Sequence, residues 1–156
     1  MKRTKEKKYW YHCTKKDFGE EMTFEPRGWG EHRCDEEPKI SRTCVGPKIS
    51  NCIVALPFCM YEDFEISVYR TKNKVYANHP YKVGDSKVTR EKWLTKDIKF
   101  VKVGEVVIRK EDSGDFAYSS CIGDKRQIKL KQILRKNLRK RFRNKDLLLN
   151  ISYQDL

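Results

Sequence analysis

The stretch "KWLTKDIKFVKVGEVVIRK", Lys92–Lys110, decides the fold class. Ile98, Phe100, Val101, Val103, Val106 and Val107 are β-branched or aromatic, the side chains that fit a pleated and partly buried surface. Gly104 marks a bend or bulge in that strand. A second segment reads the same way. In "FEISVYR", Phe64–Arg70, the residues Phe64, Ile66 and Val68 alternate with Glu65, Ser67 and Tyr69, which is the two-residue period of a half-buried strand.

Working outward, "RTCVGPKISNCIVALPF" is composite. Thr43–Val45 suits a strand, Gly46-Pro47 breaks it, and Ser50 is placed to cap a short helix carrying Ile53, Val54 and Leu56 until Pro57 stops it. Upstream, "KYWYHCT" reads as a short aromatic strand and Gly19 to Pro38 as a polar loop. From Asp124 the period changes. Asp124 can accept from the first free helix amides, with Gln127 at the capping-box position. Leu130, Ile133, Leu134, Leu138, Phe142 and Leu149 fall on one helical stripe. Opposite them stand Lys125, Lys129, Lys136, Arg139, Lys140 and Arg143.

These readings divide the 156-residue chain into a basic leader (1–8), an α+β core (9–123) and a basic helical segment (124–156). The expected fold is a single α+β domain with a mixed or antiparallel sheet and a C-terminal basic amphipathic helix. The net charge of +13 is uneven. Residues 1–8 hold five Lys and Arg against one Glu, residues 9–124 balance 19 against 19, and residues 125–156 hold 11 against two acids. The excess therefore sits in two appendages, a pattern that suits an anionic partner. A face of this kind can grip nucleic acid by its phosphates, making the chain a non-enzymatic nucleic-acid-binding or inhibitor protein; an anionic lipid surface and an acidic protein groove are the other anions it suits.

No run of about 18 apolar residues is present, and the basic start lacks an apolar region behind it, so a cytoplasmic protein with no membrane span is expected. The six cysteines are scattered singly, which reads as reduced thiols, and no C-x-x-C pair offers a metal site.

The string "YHCTKKDFGEEMTFEPR", Tyr11–Arg27, resembles the start of small ADP-ribosyltransferases of the rifampin type, where an aromatic strand ends in a His-x-Thr motif. "RTCVGPKISNCIVAL" looks like that family's second strand and helix, "EISVYR" like its next strand, and "VTREKWLTKDIKFVKVGEVV" like its closing segment. The resemblance spans about Tyr9 to Lys110. It implies NAD or a related nucleotide as cofactor, with His12 on a ribose hydroxyl, Thr14 helping to hold the nucleotide, and Glu91 as the carboxylate beside the developing ribosyl cation. Asp85 is the reserve carboxylate, and Tyr69, with Tyr76 or Tyr81 as alternatives, is a candidate to stack on the nucleotide from another element. The sequence departs from the family where Thr43-Cys44-Val45 replaces the tyrosine that stacks on nicotinamide. Both an active transferase and a nucleotide-binding relative without catalysis are therefore implied. The compact, lysine-rich style resembles products of phages and mobile elements, in which such folds modify or block host machinery.

Overall fold

The computed structural model describes residues 1–28, 40–56, 63–80, 86–114 and 125–156, the side chains of 125 and 126 excepted. In chain order the elements are β1 (Tyr11–Thr14), β2 (Glu21–Phe24), β3 (Thr43–Val45), α1 (Ile49–Val54), β4 (Phe64–Thr71), α2 (Ser86–Thr89), β5 (Lys92–Leu94), β6 (Ile98–Ile108) and α3 (Lys125–Arg143). Short 3-10 turns at Lys110–Ser113 and Tyr153–Asp155 complete them. The fold is α+β, with antiparallel sheets and a C-terminal helix.

Four strands form one antiparallel sheet in the order β1-β4-β6-β2. β3 and β5 form a separate antiparallel pair. The two sheets touch at Tyr11 and Gly46, whose amides each donate to the other's carbonyl at 2.9 Å. β1 is thus the edge of the larger sheet and the point from which the smaller one departs.

Apolar layers cover both faces of the larger sheet. On one, Cys13, Ile66, Val68, Val106 and Ile108 pack beneath α1 and α3; on the other, Trp10, Phe24, Tyr69 and Phe100 form an aromatic layer with Val45 and Leu94. This sandwiching changes the reading of β4. Ile66, Ser67, Val68 and Tyr69 are all buried, so its alternation separates two covered faces rather than a dry and a wet one.

Three other expectations are corrected. β2 lies inside the stretch read as loop, because the polar segment Glu21–Phe24 gains its ladder from the long strand β6. Ser50 does not cap α1; the cap position is Lys48, and Ser50 is fully buried within the first turn. Leu149 lies beyond α3 and bridges Gly104. The proposed cap Asp124 falls outside the described residues.

α3 docks through Leu130, Leu134 and Leu138, which are 6%, 0% and 0% exposed. Each such burial contributes about 1.5–3 kcal/mol. Arg141 locks the helix to the sheet: its Nη1 donates to Asp112 at 2.5 Å and to Val107 O at 3.0 Å, and its Nε donates to Asp146 at 3.1 Å. Past α3 the chain returns along β6, where Asn150 N donates to Val103 O. Gly104 permits this approach. Its φ is 149°, and a Cβ there would lie 2.5 Å from Leu148 O. A register shift between Val68 and Tyr69 on the paired strand places the bulge at this point, as the glycine predicts. Among the described residues no helix is long and apolar enough to cross a membrane.

Candidate functional site

After the Tyr11–Gly46 bridge, β1 and β3 part, and the gap between them forms a cleft of about 120 Å³. His12 and Cys13 line it from β1, Cys44, Val45 and Gly46 from β3 and the turn after it, Asn51 and Cys52 from α1, and Thr89 and Glu91 from the end of α2 and the residues beyond. His12 and Glu91, far apart in the chain, therefore meet at one cleft.

His12 is held in place by the splayed strands. Its Nδ1 lies 2.8 Å from Cys44 O, so Nδ1 carries the proton and donates, and Nε2 is left with a lone pair. The ring packs on Phe24, with centroids 4.9 Å apart. Enclosure holds the imidazole below its ordinary pKa; the bond to Cys44 opposes this, and the charge of Arg27 adds to it. A neutral histidine, able to accept a proton or a hydroxyl hydrogen bond, is the result.

Glu91 follows Arg90, a non-glycine residue at φ 53°. That left-handed step turns the chain out of α2 and into β5. The Glu91 carboxylate accepts from Trp93 Nε1 at 2.6 Å. Trp93 is itself fully buried, with the Arg42 guanidinium 4.0 Å over its ring. Burial first, and then the Glu91 carboxylate, push the Cys44 thiol up to about 12. Cys44 therefore stays protonated beside Glu91, whose carboxylate is aimed by the indole N–H.

The Cys13 thiol is also quiet. A hydrogen bond with Cys52, and then burial, raise Cys13 well above an ordinary thiol, and Cys52 points its Sγ at Tyr11 O, 3.2 Å away. Cys13, Cys44 and Cys52 are free. Thiolate attack requires a lowered pKa, which neither Cys13 nor Cys44 has.

Asn51, 1% exposed, donates from Nδ2 to Val88 O at 3.4 Å, while its Oδ1 has no hydrogen-bond partner. A buried acceptor without a donor costs about 1–3 kcal/mol, and a donor on a bound molecule would relieve it. Gly46 leaves this corner open; a Cβ there would come within 3.0 Å of Cys52 Sγ and 3.2 Å of Asn51 Cβ.

The remaining sequence candidates are placed elsewhere. Thr14 does not line the cleft, and its Oγ1 accepts from Lys16 N in the turn after β1. Tyr69 pairs directly across from His12, yet it is fully buried and its hydroxyl donates to Gly19 O at 2.9 Å and accepts from Phe18 N at 2.8 Å. It belongs to the aromatic layer and does not line the cleft. Asp85 and the side chain of Lys125 lie outside the described residues. Lys129, Lys136, Lys140 and Arg143 are exposed along α3, and Arg139 is half-buried with its guanidinium 4.8 Å from the Tyr153 ring. None of these α3 cations lines the cleft.

Asn51, Cys44, Thr89 and Trp93 did not stand out in the sequence. The one signal for Asn51 was the polar pair Ser50-Asn51 inside the apolar run "ISNCIV". Comparison with family models, with curated proteins and with solved structures returned no match.

Proposed function

We propose that the protein is an ADP-ribosyltransferase-like nucleotide binder, with the cleft between β1 and β3 receiving the ribose end of NAD or a related nucleotide. One observation carries this reading: a neutral, oriented imidazole and a carboxylate held by an indole N–H line the same cleft. Those are the groups that the chemistry needs. Departure of nicotinamide leaves a ribosyl cation, which a fixed carboxylate stabilises in a water-poor site, and His12 Nε2 accepts from a ribose hydroxyl.

Sites for whole ligands usually occupy about 300–1,000 Å³. A cleft of about 120 Å³ takes one ring and leaves the rest of a dinucleotide outside it. Asn51 Oδ1 supplies the acceptor that an amide or hydroxyl of that ring would satisfy.

The test is nicotinamide release from labelled NAD in the presence of cell extract, alongside NAD binding measured by saturation-transfer NMR. The wild type is expected to bind NAD and release nicotinamide. Glu91→Gln should keep binding while losing about 10²–10³-fold in release, the effect of removing one electrostatic group from a reacting centre. A wild type that neither binds NAD nor releases nicotinamide overturns the reading.

A further inference from the structure

Five cations from three elements gather where α3 passes α1 and the end of α2. Arg135 Nε donates to Ser50 Oγ at 2.9 Å, which brings it beside Lys48 at the start of α1. Lys131 Nζ donates to Val88 O at 2.8 Å, which brings it beside Arg90 just past α2. Arg139, one turn beyond Arg135, places its guanidinium 4.8 Å over the Tyr153 ring, and its buried Nε has no hydrogen-bond partner. Among the described residues none of the five is ion-paired, although the chain pairs Lys72, Lys99, Lys102, Arg109 and Arg141 with acids elsewhere. Arg90 is exposed and the other four are half-buried.

We propose that Lys48, Arg90, Lys131, Arg135 and Arg139 form a docking site for a nucleic-acid strand, gripping consecutive phosphates. The site extends beyond the nucleotide cleft and does not depend on that cleft turning anything over.

Three considerations select a strand as the occupant. Lys131, Arg135 and Arg139 repeat every four residues, so they line one side of α3 over about 12 Å. A strand carries one charge per about 3.4 Å, so that length faces three or four phosphates, more than a single free phosphate can offer. Lipid does not suit the helix, because the apolar stripe that would enter a bilayer, Leu130, Leu134 and Leu138, is already spent in the core.

The electrostatics agree with the geometry. Burial first, and then the charges of Arg135 and Arg90, lower the Lys131 pKa; burial, Arg139 and Arg90 do the same to Arg135. Lys48 is lowered by burial, Arg135 and Arg139 against the opposing charge of Asp155. The Asp155 carboxylate is itself engaged by Ser152 N and Ser152 Oγ. The folded chain thus holds mutually repelling cations together, and an anion relieves the repulsion.

The site differs from the sequence expectation. With about 100° of turn per residue, Lys129, Lys136 and Lys140 project from the other flank of α3, away from α1. They serve as internal controls.

Fluorescence anisotropy tests the assignment with a labelled oligonucleotide of about 12 nucleotides, as single-stranded RNA, single-stranded DNA and duplex DNA, across a salt series. With three or four phosphates neutralised, log K for the single strands should fall against log salt with a slope of about −2 to −3. The double variant Lys48→Gln, Arg90→Asn should bind about tenfold more weakly, with a slope shallower by about 1.4. Neither side chain makes a hydrogen bond among the described residues, and Asn tolerates the left-handed backbone at position 90, so folding is spared. Lys129→Gln, Lys140→Gln should change affinity less than about twofold. The three nucleic-acid forms tell which strand is preferred, and binding of any of them with this pattern supports the site. The site is overturned if the wild type binds no oligonucleotide at low salt, or if the two double variants weaken binding equally. It is also overturned if phosphatidylserine vesicles or polyglutamate compete better than the oligonucleotide at matched charge.

Discussion

The cleft and the α3 flank share α1 and the turn after α2, yet they treat charge in opposite ways. In the cleft, Glu91 is answered by an indole N–H, and His12 is kept neutral. On the flank, five cations stand together with no ion pair among the described residues. Neighbours on α1 divide between the two: Asn51 lines the cleft, while Ser50 takes the bond from Arg135. A pocket for a ring needs directed hydrogen-bond partners, whereas a polyanion needs summed charge and little directionality. The two regions are built for those different demands.

Undocking α3 perturbs the flank most severely. Arg141→Ala leaves the Asp112 carboxylate, 5% exposed, without its cation and should cost about 3–5 kcal/mol in urea unfolding. Lys72→Ala is the reference, since its pair with Glu21 is 48% and 44% exposed and is worth about 0–1 kcal/mol. Equal losses from the two would show that α3 is not clamped through Arg141.

Gly104→Ala acts next, at about 1–3 kcal/mol, because the new Cβ meets backbone at Leu148 and the tail must move. That tail carries Tyr153, against which Arg139 and Arg143 lie. Oligonucleotide affinity should therefore fall more than NAD binding. A variant that loses both equally would mean that the two regions are not separable.

A smaller effect concerns the cleft alone. His12 has a folded pKa below its unfolded value near 6.5, so between the two the unfolded chain binds more protons. The stability is fully present above about pH 6.5 and declines as pH falls through that window toward the folded pKa. His12→Asn keeps a donor toward Cys44 O and does not titrate, so its stability should lose less over this range. Parallel curves for wild type and variant, measured by urea unfolding at stepped pH, would remove His12 as the source. The smallest effect is at Cys44. Its alkylation by iodoacetamide at pH 8, followed by intact mass, should be slow and should rise only a few-fold in Glu91→Gln, since burial is the larger cause of its raised pKa.

Much of the scaffold was legible from local pattern. β-branched and aromatic content marked β4 and β6, the Gly-Pro break separated β3 from α1, and the helical stripe of leucines marked α3. β2 was not legible, because "EMTF" has little strand character of its own and becomes one by pairing along β6. The burial of Ser67 and Tyr69 on β4 was hidden for a related reason: a strand's own sequence does not say that a second layer covers its other face.

The sequence by itself determined the element types and the uneven distribution of charge, because periodicity, turn chemistry and composition act over a few residues. His12 and Glu91 were also named from motif resemblance alone. The folded chain adds that these two share a cleft, that Tyr69 and Thr14 do not line it, and that the converging cations are Lys48, Arg90, Lys131, Arg135 and Arg139. Such groupings depend on where β1 parts from β3 and on which side of α3 meets α1. Those outcomes are set by packing between distant segments, and no local window of the chain contains them.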